Sequence, residues 1–261
     1  MASLDADGHR ALLRRARAWL LGVVVLASFV GTVGLAWEAP RVLGSAQRLG
    51  PVVAARAQAL VQDIGEAAAL DEEARLRRLN TFFNRQVQYR DDRDVWGQVD
   101  YWGSPLETLT KGQGDCEDYA IGKYFALMAA GVPSARMRLV YVRAQNGGVI
   151  QAHMVLAYYP TPDAEPLILD NLITDIRPAS RRPDLTPVFS FNAEGLWQGV
   201  GAVTAGDPVA LLRRKLRSAL RRLRQLQQPQ TGRGLDAGSA AVPVGDRPPR
   251  AAQRAVWCGV P

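Results

Sequence analysis

Cys116 stands in the run from Gly112 to Gly131, GQGDCEDYAIGKYFALMAAG, with Asp115 before it and Glu117 and Asp118 after it. A cysteine is a nucleophile as its thiolate, and neighbouring carboxylates disfavour that form. Either this thiol is inert, or something offsets the negative charge around it. The run also carries one favourable influence. It reads as a helix that opens at Asp115, a residue type able to cap free backbone N–H groups, and stops at Gly131 with Pro133 just beyond. Cys116 then falls in the first turn, where the helix dipole and unpaired N–H groups favour a thiolate and can stabilise an oxyanion.

A nucleophilic cysteine also needs a base and a group that orients the base. The chain has two histidines, His9 and His153. His9 lies in what reads as an export signal, which leaves His153, in the strand-like run QAHMVLAYY. Asp170, in LILDNL, is a carboxylate amid apolar residues and requires a partner. If these two runs pair as an antiparallel hairpin around PTPDAEP, the register decides whether they meet. Tyr158 opposite Leu167 places Asp170 opposite Val155 and diagonal to His153, on one face. Tyr159 opposite Leu167 sends the two side chains to opposite faces. Cys116, His153 and Asp170 are the candidate catalytic set. The competing readings are a structural cysteine at a helix start and a satisfied core histidine. A disulfide between Cys116 and Cys258, the chain's other cysteine, is a further alternative, because exported thiols tend to oxidise.

The elements that must position these residues follow from periodicity. From Gln58 to Val87 apolar residues recur at helical spacing, predicting two amphipathic helices broken near Leu70-Asp71. The stretch QYRDDRDVWGQVDYWGSPLETLTKGQG is rich in turn residues and reads as a long surface loop leading to the cysteine. After the cysteine helix come the strand-like runs MRLVYVRA, QAHMVLAYY and PLILDNLI, then a fourth around PVFSFN. The second and third are apolar on both faces and are expected at the centre of the sheet. Helices first and an antiparallel sheet after make an α+β domain.

The formal charge of +7 raises the question of nucleic acid. The densest basic runs lie in the first eighteen residues and between Arg213 and Arg224, outside the part that reads as folded, and no basic patch is interleaved with aromatics. Nucleic acid is therefore not an expected partner. At the N-terminus, arginines precede an uncharged run from Ala18 to Trp37 that ends in Gly34-Leu35-Ala36. This is an export signal, either cleaved at the small residues or retained as an anchor in the inner membrane. The positive-inside rule puts the working domain on the far side, in the periplasm. Residues 1–37 are thus the signal or anchor, 38–204 the working domain, and 205–261 a basic helix followed by a disordered tail rich in Pro, Gly and Arg. The basic helix either packs by its leucines and is solvated, or lies on an anionic membrane surface.

Taken in order, GDCEDYAIGKYFAL, HMVLAYY, LDNL, PASRRPDLTPVFSFN and GLW resemble the bacterial transglutaminase-like cysteine proteinase family, specifically its LapG-type periplasmic members, from about Leu60 to Trp197. The resemblance implies a papain-like/transglutaminase-like α+β fold with Cys116 as nucleophile, His153 as general base and Asp170 as its orienting partner. It implies a large cell-surface adhesin as substrate, cut near its N-terminus at a di-alanine site so that cells leave a biofilm. It further implies restraint by a LapD-type inner-membrane receptor for cyclic di-GMP. It also answers the question of charge: such proteases are calcium-dependent, and the metal ligands map onto Asp115, Glu117 and Asp118. Calcium takes carboxylate oxygens readily, and the cation would neutralise the charges that oppose a thiolate. On the residues alone, Asp115 as a helix cap with Glu117 and Asp118 complementing the dipole remains a competing reading. Two other functions stay open: acyl transfer to an amine by the same residues, and a non-catalytic binding module with an inert Cys116.

Overall fold

The computed structural model describes residues 38–199 together with Ser218, Ala219, Arg221 and Arg222. The export signal or anchor expected over residues 1–37, and most of the basic helix and tail expected over 205–261, lie outside the described residues. Among the described residues, no helix is long and apolar enough to cross a membrane.

Three helices come first: α1 (Ala39–Arg48), α2 (Pro51–Ala68) and α3 (Glu72–Gln86). The break between α2 and α3 falls where Asp71 marks it. Its carboxylate accepts the Ala74 N–H at 2.8 Å, while Arg75 donates to the carbonyls of Ala67, Ala68 and Leu70 that end α2. The apolar positions read from the periodicity are the ones that bury: Leu60, Ile64 and Ala67 on α2, and Leu76, Leu79 and Phe83 on α3.

The stretch expected as a surface loop is built differently. It contains β1 (Gln88–Tyr89), α4 (Asp92–Trp96), α5 (Pro105–Lys111) and β2 (Gln113–Gly114). Helix α5 opens on a capping box: Ser104 Oγ accepts the Glu107 N–H at 3.4 Å, Glu107 Oε2 accepts the Ser104 N–H at 2.7 Å, and Pro105 takes the first turn. Trp102 is 3% exposed, so this segment folds inward on an aromatic anchor. The parallel pairing of β1 with β2 brings the chain to α6 (Cys116–Ala129).

Helix α6 is buried around most of its circumference, as an almost uniformly apolar helix must be. It packs against α3 on one side, where Gly122 leaves room for the ring of Phe83; a Cβ at that position would collide with the ring. Beyond α6 the strands β3 (Met137–Asn146), β4 (Val149–Tyr158), β5 (Leu167–Leu169), β6 (Arg177–Pro178), β7 (Leu185–Phe191) and β8 (Leu196–Gln198) form one antiparallel sheet in the order β6-β5-β4-β3-β7-β8. The α+β expectation holds. Strands β3 and β4 are central, and Val140, Val142, Val155, Ala157 and Ile168 form a core under Ala179 and Leu185. Strand β5, expected at the centre, lies one strand from the edge; the two-residue β6 closes that side and keeps it buried. Its register places Tyr158 opposite Leu167, the alternative that brings Asp170 to the face of His153.

Candidate active site

Cys116 is the first residue of α6 and is fully buried. The Met154 N–H of β4 donates to its Sγ at 3.2 Å, which fixes the helix tip against the strand that carries His153. His153, opposite Val142 in the sheet, makes a 2.7 Å hydrogen bond from Nε2 to Asp170 Oδ1. Asp170 follows β5 directly. Its Oδ1 also accepts the backbone N–H groups of Asn171 and Leu172 at 2.7 and 3.2 Å, and Oδ2 accepts from Arg182 Nη2 at 2.7 Å. Burial by itself pushes the Asp170 carboxyl up, but hydrogen bonding and charge from His153 and Arg182 outweigh it and hold the group below the ordinary carboxylate range. An ionised Asp170 can only accept, so Nε2 carries the imidazole proton and Nδ1 is the nitrogen left basic. A cavity of about 250 Å³ opens beside His153, lined by Tyr89, Tyr119, Gln151, Asn171 and Leu172 among others.

The sulfur of Cys116 is engaged in a disulfide in this structure. The chain's one other cysteine, Cys258, lies outside the described residues. In the disulfide the 3.2 Å approach of Sγ to Glu117 Oε2 carries no proton; once reduced, the thiol can donate there.

The capping role that the sequence offers for Asp115 is not filled by its side chain. Asp115 is the N-cap residue by position, yet its side chain makes no capping bond. Asp115, Glu117 and Asp118 are all buried, and two further acids, Asp92 and Asp100 from the α4 region, come up to meet them. Single oxygens of Asp92, Asp100 and Glu117 lie within 4.8 Å of one another, as do those of Asp92, Asp115 and Asp118. Asp115 Oδ1 and Asp118 Oδ2 are buried with no hydrogen-bond partner. Asp118 Oδ1 accepts the Gly103 N–H at 2.8 Å, and Asp92 accepts from Tyr101, so the loop is tied to the helix. Burial first, and mutual repulsion second, push the carboxyls of Asp115 and Asp118 well above the usual range; burial with Asp92 and Asp100 pushes Glu117 up to about 8. Dry carboxylates with unfilled oxygens call for a cation, and an all-oxygen set of this size suits a hard divalent ion such as calcium.

Sequence reasoning did not find Asp92, Asp100, Lys123 or Arg182. The acid-rich DDRDVWGQVD was a signal for the first two, hidden by reading the segment as a loop. Lys123 lies two turns along α6 from Cys116 and is 1% exposed; burial lowers it to about 7, against the opposing charge of Asp170. At the C-terminal side, Arg222 reaches the same loop, hydrogen-bonding the Trp102 carbonyl and Glu107 and covering the Tyr101 ring at 4.7 Å.

A cysteine at a helix start, held by the backbone of the strand that carries His153, with an α-helical layer preceding an antiparallel sheet, is the arrangement of the transglutaminase-like cysteine proteases. The chain belongs to the bacterial transglutaminase-like cysteine proteinase family, whose model matches residues 57–184. It is similar to LapG of Legionella pneumophila in three solved structures. The EGTA-treated form is 41% identical with a TM-score of 0.63, over 72% of this chain and 98% of that one. A second LapG structure is 40% identical with a TM-score of 0.61 over the same shares, and the calcium-bound form is 42% identical with a TM-score of 0.58 over 68% and 99%. No curated protein matches the chain.

Proposed function

We propose that this protein is a calcium-dependent cysteine endopeptidase that works in the periplasm, cutting a large cell-surface adhesin near its N-terminus at a di-alanine site and so releasing cells from a biofilm. A LapD-type inner-membrane receptor for cyclic di-GMP holds it back, and the N-terminal segment exports it or anchors it to the inner membrane. The observation that carries the reading is the His153–Asp170 hydrogen bond next to a helix-start Cys116 ringed by buried carboxylates.

The residues divide the work as follows. In the reduced enzyme, His153 Nδ1 takes the thiol proton, and Asp170 holds the ring by its Nε2–H. The Cys116 sulfur attacks the scissile carbonyl, and the first-turn N–H groups of α6, that of Cys116 included, are the donors that would receive the oxyanion. His153 returns the proton to the leaving amine, and water then resolves the thioester with His153 as base again. Asp92, Asp100, Asp115, Glu117 and Asp118 would hold calcium, which supplies positive charge where these carboxylates crowd the sulfur and ties the loop to the helix. The calcium-bound and EGTA-treated forms of LapG support that part of the reading.

The test is cleavage of a di-alanine-containing adhesin fragment by reduced protein. EGTA should stop it and added calcium restore it, while magnesium should substitute poorly because it demands a tighter octahedral shell. Full cleavage by protein shown by metal analysis to be calcium-free would remove calcium from the proposal.

A further inference from the structure

Asp170 offers two oxygens, and they are used unequally. Oδ1 collects His153 Nε2 and the N–H groups of Asn171 and Leu172, whereas the hydrogen bond to Oδ2 comes from Arg182. Arg182 follows the 3₁₀ turn Ala179–Arg181 and its side chain is 1% exposed. It is itself gripped from behind: Asp184 accepts from Nε at 2.9 and 3.2 Å and from Nη2 at 2.7 Å. The Asp184 carbonyl is in turn fixed by the Gln145 N–H of β3 at 2.8 Å. Charges therefore alternate from the surface inward, Asp184, Arg182, Asp170, and end on the imidazole. Lys123, the other buried cation that acts on Asp170, does so through charge and makes no hydrogen bond to it.

We propose that Arg182 is a positioning residue of the active site: by occupying Oδ2 it stops the Asp170 carboxylate from turning and keeps Oδ1 aimed at His153. A carboxylate is symmetric and rotates readily about its last bond unless both oxygens are engaged. A planar guanidinium held by a second acid is suited to that task, because its donors sit in a fixed fork. This inference rests on the reading of Cys116, His153 and Asp170 as the catalytic set. The bland alternative is an ion pair that merely ties the turn before β7 to the end of β5.

The two are separated with the reduced, calcium-loaded full chain carrying Arg182→Met or Arg182→Lys. Two readouts are needed: kcat and KM on a di-alanine peptide, and the low-field proton resonance of the His153 ring N–H. That resonance is simple to assign, because the chain has one other histidine, His9, and His9→Gln removes its signal. Arg182→Met should lower kcat by about 10- to 100-fold, by analogy with the outer-shell partners that orient metal-bound side chains, with KM changed less than about twofold. The His153 resonance should move upfield or vanish by exchange. Arg182→Lys, which keeps the charge and loses the fork, should fall between. Asp184→Asn, which loosens Arg182 without removing it, should give a smaller loss of the same kind and covers the case in which Arg182→Met does not fold. Wild-type kcat with an unmoved resonance in these variants, or a loss confined to thermal stability, overturns the inference. If the wild type shows the resonance and Arg182→Met loses it but no peptide is cleaved, the positioning role stands and the peptidase reading falls.

Discussion

His153 is the only described histidine and Cys116 the only described cysteine, so among the described residues no other side chain of either type can take over its role. Cys116→Ala and His153→Ala should each abolish cleavage with the fold kept, as read by circular dichroism. Asp170→Asn should cost up to about 10⁴-fold in kcat, the scale seen when a triad carboxylate can no longer set the imidazole tautomer. Substantial turnover by His153→Ala would end the mechanism. Lys123 gives a prediction of a different kind. Its folded value is lowered to about 7 while an unfolded lysine titrates near 10.4, so across that window the unfolded chain binds the extra proton. Stability should therefore rise with pH from about 7 to 10, by at most about 1.4 kcal/mol per unit, and the burden of the buried ammonium is complete below 7. Lys123→Met should exceed the wild type in urea midpoint most at pH 6, and the gap should close toward pH 10. A gap that stays constant would mean Lys123 is not buried as a strained cation. At this scale the sequence displayed Cys116, His153, Asp170 and the three flanking acids, because each was rare or oddly placed. Arg182 and Lys123 were illegible, since a surface arginine and a buried one read alike until a fold gives them neighbours.

At the scale of elements, glycine sets how closely the loop and helix approach. A Cβ on Gly114 would lie 2.5 Å from Asp118 Oδ2, inside the space that carboxylate occupies. Gly114→Ala should displace Asp118 and weaken calcium binding, by about tenfold or more on the usual scale for disturbed ligand surroundings. Isothermal titration with calcium measures it, and an unchanged Kd would mean Asp118 is not part of the cation site. The helices α2 and α3 were legible because each repeats apolar residues with a 3.6 period around a break marked by Asp71, and α6 because it has clear ends at Asp115 and Gly131. Strands β3, β4 and β7 were legible as apolar runs between turn residues. The segment from 88 to 114 was not, because its turn residues masked the Ser104–Glu107 box and its burial depends on Trp102 meeting Phe191 of β7, a contact remote in sequence. Strands β6 and β8 are too short to carry a period.

For the whole molecule, a disulfide at Cys116 together with the proposed role of that sulfur predicts cleavage that depends on redox state. Protein kept without reductant should titrate no free thiol and cleave nothing; a dithiol such as dithiothreitol should expose both cysteines and switch cleavage on. Cys258→Ser should cleave without reductant if the two cysteines of one chain pair. Full cleavage by thiol-free protein would refute the assignment of Cys116 as nucleophile.

Residues 115 to 118 belong to a single turn of backbone that supplies both the sulfur and three of the five clustered acids. If these acids hold calcium as proposed, selection has no independent handle on ion affinity and on reactivity: a change that retunes one displaces the other by a bond or two. A lineage adapting to water with less calcium would have to draw its adjustments from Asp92 and Asp100, the two acids that reach the cluster from a separate stretch of chain.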